Sequence, residues 1–242
     1  GIISSSYGQQ HSHQSSTPVY FPDIPGYLSL TTDLHQHTVF SDGSVWPDIR
    51  VMEALREDLD VISLTEHLEY QPHAEDIPHP DRNRSYTLAL AEAEEHDLII
   101  VHGSEINRGV PVGNNNAVFI KDANALLEAD PEAPFKEAKN QGAFVFWNHP
   151  AWDAQQHKGN PLLSTFQEER IQNGELHGIE VINTTDYSEE ALQIALDQNL
   201  TIMGTSDIHG LIEWDYINYG KHRPLTLVFA KTRSADAVQE AL

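Results

Sequence analysis

Short apolar runs, several of them leading into a histidine or a carboxylate, recur along this chain and constrain its fold more than any other feature. They lie at roughly 28–34, 61–65, 98–103, 117–121, 143–148, 178–183, 200–206 and 225–230. Runs this short, between stretches of helical spacing, read as buried strands. Pro47 suits a first helical turn, and Ile49, Met52 and Leu55 follow it on one face. Residues 84–97, 132–140, 163–173 and 188–198 read as helices too; in the last, Leu192, Ala195 and Leu196 follow a cap at Ser188. Strands alternating with helices at this rhythm predict parallel βαβ units, and seven or eight of them favour a barrel related to the (β/α)8 form over an open sheet. A further helix begins near Ser234, with Val238, Ala241 and Leu242 on one face, and its pattern is cut short at Leu242. No Gly-x-Gly-x-x-Gly, P-loop or internal repeat is present.

Composition removes whole classes of function. With no cysteine among 242 residues, disulfide scaffolds, zinc-thiolate sites, iron–sulfur clusters and thiol nucleophiles are excluded. Fourteen Lys and Arg against 37 Asp and Glu leave a formal charge of −23. Such a surface repels phosphate backbones and anionic lipid, so no long nucleic acid and no membrane is expected as a partner. Apolar runs of about five residues fall far short of the ~18 that a spanning helix needs, which predicts no membrane insertion. Residues 1–26, rich in Ser, Gln, His and Pro, read as a flexible polar segment ahead of a domain over 27–242. His11 and His13 in that segment imitate a metal motif without the setting for one. No basic and apolar signal-peptide regions are visible, yet such a polar leader slightly favours a periplasmic or secreted protein over a cytoplasmic one.

The chemistry-bearing residues cluster where the strands end, which is the functional edge of parallel α/β barrels. Side chains alternate along a strand, so Asp33, His35 and His37 point to one side. Two imidazoles at i and i+2 can chelate one ion, and Asp33 beneath them is placed to hold a ring N–H. Asp207 and His209 share a face in the same way. Three more strand ends carry Glu66-His67, Glu105 and His149. Neighbours in a strand face opposite ways, so His67 is taken as the ligand of its pair. Asp42 sits in the Ser41-Asp42-Gly43 turn after the first strand, able to reach back to the mouth. Taken singly, Asp42 is a turn residue, Glu105 a helix cap and His149 a packed loop residue. Their joint placement at five strand ends and one turn argues for a metal site.

These motifs resemble the PHP (polymerase and histidinol phosphatase) superfamily of metal-dependent phosphoesterases. The resemblance runs from about Tyr27 to Leu242. It rests on Asp33-Leu34-His35-Gln36-His37-Thr38 with Ser41-Asp42-Gly43, then Thr65-Glu66-His67, Gly103-Ser104-Glu105-Ile106, His149-Pro150 and Gly204-Thr205-Ser206-Asp207-Ile208-His209. The chain looks most like secreted or periplasmic PHP proteins of the Bacteroides group. The resemblance implies an α/β fold, a distorted (β/α)7 TIM-like barrel, and two to three divalent transition metal ions. It implies that His35, His37, Glu105 and Asp207 hold the first ion, that Glu105 bridges to a second held by His149, and that Asp42, His67 and His209 hold the third. Relatives often carry histidine after a glycine where this chain reads Gly113-Asn114-Asn115-Asn116. Asn114 is a weaker, neutral ligand, so the second ion is the one expected to be incompletely held. Nitrogen and oxygen donors without thiolate suit zinc, manganese or iron.

Clustered divalent ions supply hydroxide near neutral pH and neutralise phosphoryl oxygens, so the expected reaction is hydrolysis of a small phosphorylated substrate by metal-bound hydroxide. Asp42 and Glu66 are candidate catalytic carboxylates. Arg108 and Arg84 are candidate phosphate-binding cations, with Lys158 behind them. Glu180, inside the sixth strand, must be paired if buried, and is expected just behind the ligands. Trp147, Trp152, Tyr70 and Trp214 are expected near the rim. His73, His79, His96, His157, His177 and His222 are expected at the surface or in loops, and His102 in the core. The aromatic loop from Gly210 to Arg223 is a candidate lid. Two other classes are compatible with these ligands: an amidohydrolase-like C–N or C–O hydrolase, for which Lys121 is the one candidate carboxylated lysine, and a non-catalytic metal-containing binding module.

Overall fold

The apolar runs do form the strands of one sheet, but not an all-parallel one. The computed structural model describes residues 18–77, 79–155 and 161–242. His11, His13, His157 and Lys158 lie outside them. In chain order the elements are β1 (Leu28–Asp33), α1 (Pro47–Arg56), β2 (Val61–Leu64), α2 (Arg84–Glu92), β3 (Ile99–Ile106), β4 (Asn115–Val118), α3 (Ala133–Asn140) and β5 (Phe144–Trp147). There follow α4 (Thr165–Gln172), β6 (Gly178–Asn183), β7 (Asp186–Tyr187), α5 (Glu189–Gln198), β8 (Thr201–Thr205), α6 (Ile212–Asp215), β9 (Thr226–Ala230) and α7 (Ala235–Ala241). Pro47 opens α1 as expected, and the Ser188 and Ser234 side chains accept N–H bonds at the starts of α5 and α7. Among the described residues no helix is long and apolar enough to cross a membrane.

The sheet runs β7-β6-β5-β4-β3-β2-β1-β9, with β8 paired to β6. β1–β2, β2–β3, β5–β6 and β6–β8 are parallel, whereas β3–β4, β4–β5, β1–β9 and β6–β7 are antiparallel. The expectation of uninterrupted parallel units is thereby corrected. Residues 107–114 join β3 to β4, which is too short for the crossover of about a dozen or more residues that a parallel pair requires. The two-residue strand β7 and the short helix α6 carry no periodicity to reveal them.

The sheet curls. Leu30, Val61, Val101, Val118, Phe146, Met203 and Val228, from seven different strands, pack in one buried cluster, which a flat sheet does not allow. Past β8 the chain returns to the continuation of β1: Gln36 and Ile208 form an isolated parallel bridge, His37 N donates to Ile208 O at 3.0 Å, and Asp207 N to His35 O at 2.9 Å. Those bonds bring the first and eighth strands together above an apolar plug. A second core cluster lies under α3, α4 and α5, and a third packs α1 and α2 on β2 and β3.

Several rim expectations change. Trp147 is fully buried in the second cluster, because it lies on the inner strand β5. The Gly210–Arg223 segment is not a lid over the mouth. Ile212 N donates to Glu53, Tyr216 Oη donates to Ser206 O, and Arg223 is tied to Glu57 and Asp33, which pins the segment against α1. Trp214 goes with it. His102 is buried, as expected, with its ring stacked on Tyr86 at 4.1 Å.

Candidate metal centre

The site is built where β1, β2, β3, β5 and β8 end. Beyond Asp33 the alternation continues and turns His35 and His37 to the same side, both fully buried. The turn that follows is tight: Ser41 N and Gly43 N both donate to Thr38 O. A Cβ at residue 43 would stand 2.8 Å from the His37 and Thr38 backbone, so only glycine fits there. That turn brings Asp42 back over the histidines, and His73 Nε2 meets Gly43 O from outside at 3.1 Å.

Glu66 faces away from the cluster, as strand alternation requires. Its carboxylate accepts from Thr38 N at 3.1 Å, Thr38 Oγ1 at 2.5 Å and Ser41 Oγ at 2.5 Å. Burial pushes its pKa up against those three hydrogen bonds. Glu66 therefore braces the turn that carries Asp42 and does not line the cavity, in contrast to the catalytic role expected for it.

Four donor atoms converge on one point. Asp207 Oδ1 is 3.1 Å from both His35 Nε2 and His37 Nε2, which are themselves 3.1 Å apart. Glu105 Oε2 lies 3.5 and 3.3 Å from the same two nitrogens. Ligands about 2.1 Å from a shared ion stand roughly 3.0–3.4 Å from one another, so the spacing matches a coordination shell. Beside it, Asp42 meets His67 Nε2 at 3.4 Å and His209 Nε2 at 3.1 Å, while Glu105 Oε2 reaches His67 Nδ1 at 2.9 Å and so links the two groups. His149 Nε2 stands 3.7 Å from Glu105 Oε1 and 3.9 Å from Asp207 Oδ2. The donors fall into three overlapping sets: His37-Asp42-His67-His209, His35-His149-Asp207 and His35-His37-Glu105. His149 and Asp207 hold φ of 27° and 50°, left-handed backbone for non-glycine residues at two donor positions.

The donor set fits divalent cations on two observations. Asp42 Oδ1, Glu105 Oε2 and Asp207 Oδ1 are buried oxygens with no hydrogen-bond partner, although each faces imidazole nitrogens. The titration pattern agrees. Burial raises Glu105, but the His67 and His35 charges hold it well below the usual carboxylate range; Asp207 is held down in the same way by His35 and His37. Burial resists charge on His67, yet Glu105 and Asp42 bring it up to about 10. Asp207 and Glu180 likewise overcome burial at His35, whereas burial wins at His37 and lowers it to about 4. Protons on some imidazoles thus compensate ionised carboxylates, the work that a divalent ion takes over when it binds.

A supporting layer fixes the donors. Glu180 Oε1 accepts from His35 Nδ1 at 2.7 Å, and its other oxygen accepts from His149 N at 2.6 Å and Asn183 Nδ2 at 2.9 Å. Asp33 does not hold a ring N–H, contrary to expectation. Its oxygens accept from Ser206 N, from Ser206 Oγ at 2.6 Å and from the fully buried Arg223 at 3.0 Å, because that guanidinium needs a counter-charge. Asn148 and Asn116 were not foreseen. Asn148 Nδ2 donates to Glu105 Oε1 at 2.9 Å and to Asn116 Oδ1 at 3.0 Å. The one sequence signal for Asn148 is its place directly before His149 at a strand end. Asn114 lines the cavity with His149, its Oδ1 accepting from Arg108 N at 3.2 Å.

Asp42, His67, His149, Asp207 and His209 line a cavity of about 920 Å³ that also takes in Tyr70, Trp152 and the β6–β7 hairpin, with His35, His37 and Glu105 buried behind them. Neither candidate arginine lines it. Arg108 Nε is paired with Glu69 at 2.7 Å, and its terminal nitrogens bond the Glu128 and Ala129 carbonyls. Arg84 opens α2 and faces a separate cleft with Phe40, Trp46 and His79. Lys121 is exposed at the surface, away from the centre.

A two-domain protein from Bacteroides vulgatus, described as containing a predicted PHP-like metal-dependent phosphoesterase, matches with a TM-score of 0.91 and 48% identity. The chain belongs to the PHP family. The match covers 95% of this chain and 66% of that protein, so the chain spans just under two thirds of its relative. A Bifidobacterium adolescentis protein whose description names a metal-dependent phosphoesterase matches with a TM-score of 0.62 and 18% identity, over 89% of this chain and 96% of its own. An amidohydrolase from Chromobacterium violaceum with bound sulfate and no metal matches at 0.54 and 15% identity, over 74% of this chain and 87% of its own. At those identities the last two share the fold with this PHP chain and carry no more than that. No family model matches the chain, and no curated protein does.

Proposed function

We propose that this PHP chain hydrolyses a phosphate ester of a small molecule with two to three divalent transition metal ions in its mouth, the curled sheet being a distorted (β/α)7 barrel. One observation carries the reading: His35, His37, Glu105 and Asp207 converge at 3.1–3.5 Å beside the Asp42-His67-His209 group, at the floor of an open cavity. Purely structural sites are closed, whereas this one faces solvent space. Nitrogen and oxygen donors suit zinc, manganese or iron.

Such ions, when bound, neutralise phosphoryl oxygens and lower the pKa of water. The chain's own residues do the rest. Glu180 commits the His35 Nδ1 proton and leaves Nε2 free as a donor atom. Asn148 and Asn116 keep Glu105 between the two groups. Glu66 holds the turn that presents Asp42. Hydrolysis joins a water oxygen to phosphorus, breaks the ester P–O bond and returns a proton to the leaving oxygen. Arg108 and Arg84, both engaged or facing elsewhere, have no part in this reading. The exposed Lys121 removes the amidohydrolase-like alternative with a carboxylated lysine.

The test is elemental analysis of the purified protein together with p-nitrophenyl phosphate turnover under Mn²⁺, Zn²⁺ or Fe²⁺. Two or more ions per chain are expected, with turnover reduced at least about a thousandfold in His35→Ala, and with the circular dichroism of the fold unchanged. Fewer than one ion per chain after reconstitution would overturn the multinuclear centre. Bound metal without turnover of any phosphoester would leave the binding-module reading in its place. Asn114→His addresses the second ion: it is expected to raise metal content over the parent chain.

A further inference from the structure

The cavity is far larger than a phosphate group, and its walls have a consistent chemistry. Three aromatic side chains stand half-exposed at the rim: Tyr70 at 52%, Trp152 at 54% and Tyr187 at 55%. Each is fixed in place. Tyr70 sits edge-on to the His67 ring at 5.8 Å, and Trp152 edge-on to the His149 ring at 5.2 Å. Tyr187, on the β6–β7 hairpin, donates its hydroxyl to Glu189 at 2.7 Å. Among the described residues, the Asn107 carboxamide and the Thr184 and Thr185 hydroxyls line the same walls without a hydrogen bond inside the protein. The charged groups that line the cavity among the described residues are carboxylates and histidines, Asp186 at the hairpin included, with no Lys or Arg.

We infer, resting on the phosphoesterase reading, that the substrate is a sugar-type monophosphate, with a single phosphate on an uncharged, polyhydroxylated ring. The phosphate belongs at the metal centre. The C–H faces of such a ring match exposed aromatic platforms, which offer large rigid contact area at little entropic cost. Its hydroxyls match the free carboxamide, the threonine hydroxyls and the Asp186 carboxylate, which accepts from them. A second phosphate on the ring would stand against Asp186 without a cation among the described wall residues. An alkyl chain in the same place would leave the amide and hydroxyl groups unpaired.

Binding and turnover test this separately on the same metal-loaded chain. Binding is measured calorimetrically with three non-hydrolysable probes: the 6-phosphonate analogue of glucose, the bisphosphonate analogue of fructose 1,6-bisphosphate, and butylphosphonate. The glucose analogue is expected to bind at least about tenfold more tightly than either of the others, and Trp152→Ala or Tyr187→Ala to erase most of that margin. Both side chains are half-exposed, so their removal leaves the core intact. Equal or tighter binding of the bisphosphonate or of butylphosphonate overturns the inference, as does a margin unchanged in both variants. Turnover of p-nitrophenyl phosphate and glucose 6-phosphate is measured alongside. The expected binding order with no turnover of any phosphoester removes the phosphoesterase reading and leaves a sugar-binding pocket; turnover with the order reversed does the opposite.

Discussion

Glu180 and His35 are separated by 145 residues in the chain and by 2.7 Å in the fold, where Glu180 Oε1 accepts the His35 Nδ1 proton. One strand from each half of the sheet is thereby joined at the centre. The bond selects the tautomer that points an Nε2 lone pair at Glu105 and Asp207. Supporting hydrogen bonds of this kind are worth about 10–100-fold in metal affinity. Glu180→Gln keeps the shape but turns an acceptor into an ambiguous partner, so metal affinity is expected to fall by roughly that factor. Competition with a chelating dye checks it, and an unchanged affinity would show that His35 is held by packing alone.

Asn148 makes the corresponding bond to Glu105. Its loss in Asn148→Ala also strands Asn116, whose backbone N–H and side-chain Oδ1 both depend on it. Leaving buried polar groups unpaired costs about 1–3 kcal/mol. At roughly 2–4 °C per kcal/mol for a chain of this size, Tm should fall by about 2–12 °C in a thermal melt. Metal affinity should fall with it.

Without an ion, the Asp42, Glu105 and Asp207 carboxylates face imidazoles, of which His37 resists protonation. A ligand at a thousand times its Kd adds about 4 kcal/mol to stability, so exhaustive chelation is expected to lower Tm by roughly 10 °C. Re-addition of Zn²⁺ or Mn²⁺ should restore it. A shift of under about 2 °C would mean that the donors are held by the fold without help from an ion.

His102 governs part of the acid limb of stability. Burial against Tyr86 lowers its imidazole from 6.5 to about 4, with Asp122 and the Ile120 backbone opposing. The folded state therefore keeps this ring neutral where the unfolded chain takes up a proton. Its contribution is complete above about pH 6.5 and is lost as pH falls toward 4, on the order of 3 kcal/mol across that window. His102→Phe should flatten the fall in denaturant-measured stability between pH 6.5 and 4. An unaltered slope would place the acid sensitivity elsewhere.

Much of the architecture was legible because strand-length apolar runs and one-faced helices are local patterns. The strand expected over 178–183 spans Gly178–Asn183, and the helix expected over 188–198 spans Glu189–Gln198 behind its Ser188 cap. Strand direction was not legible in the same way. The helical rhythm suggested parallel neighbours throughout, and the short 107–114 link reverses β4 instead. The donor residues were legible as strand-end histidines and carboxylates. The two arginines were misjudged for one reason: proximity in sequence to Glu105 or His67 says nothing about which carboxylate a long, flexible side chain reaches. Arg108 found Glu69, and Arg84 turned to another cleft.

The sequence by itself determined which residue types stand at which strand ends, because a period of two fixes the side to which Asp33, His35 and His37 point. With no cysteine in the chain, it also excluded thiolate chemistry. Only the tertiary structure decided how those ends meet. The curl of the sheet brings residues 35 and 207 within hydrogen-bonding distance of each other's backbone, sends Asp33 to a buried arginine and recruits Glu180 and Asn148 as supports. These pairings depend on long-range register and on where buried charges find partners, and neither is encoded in any local window of the chain.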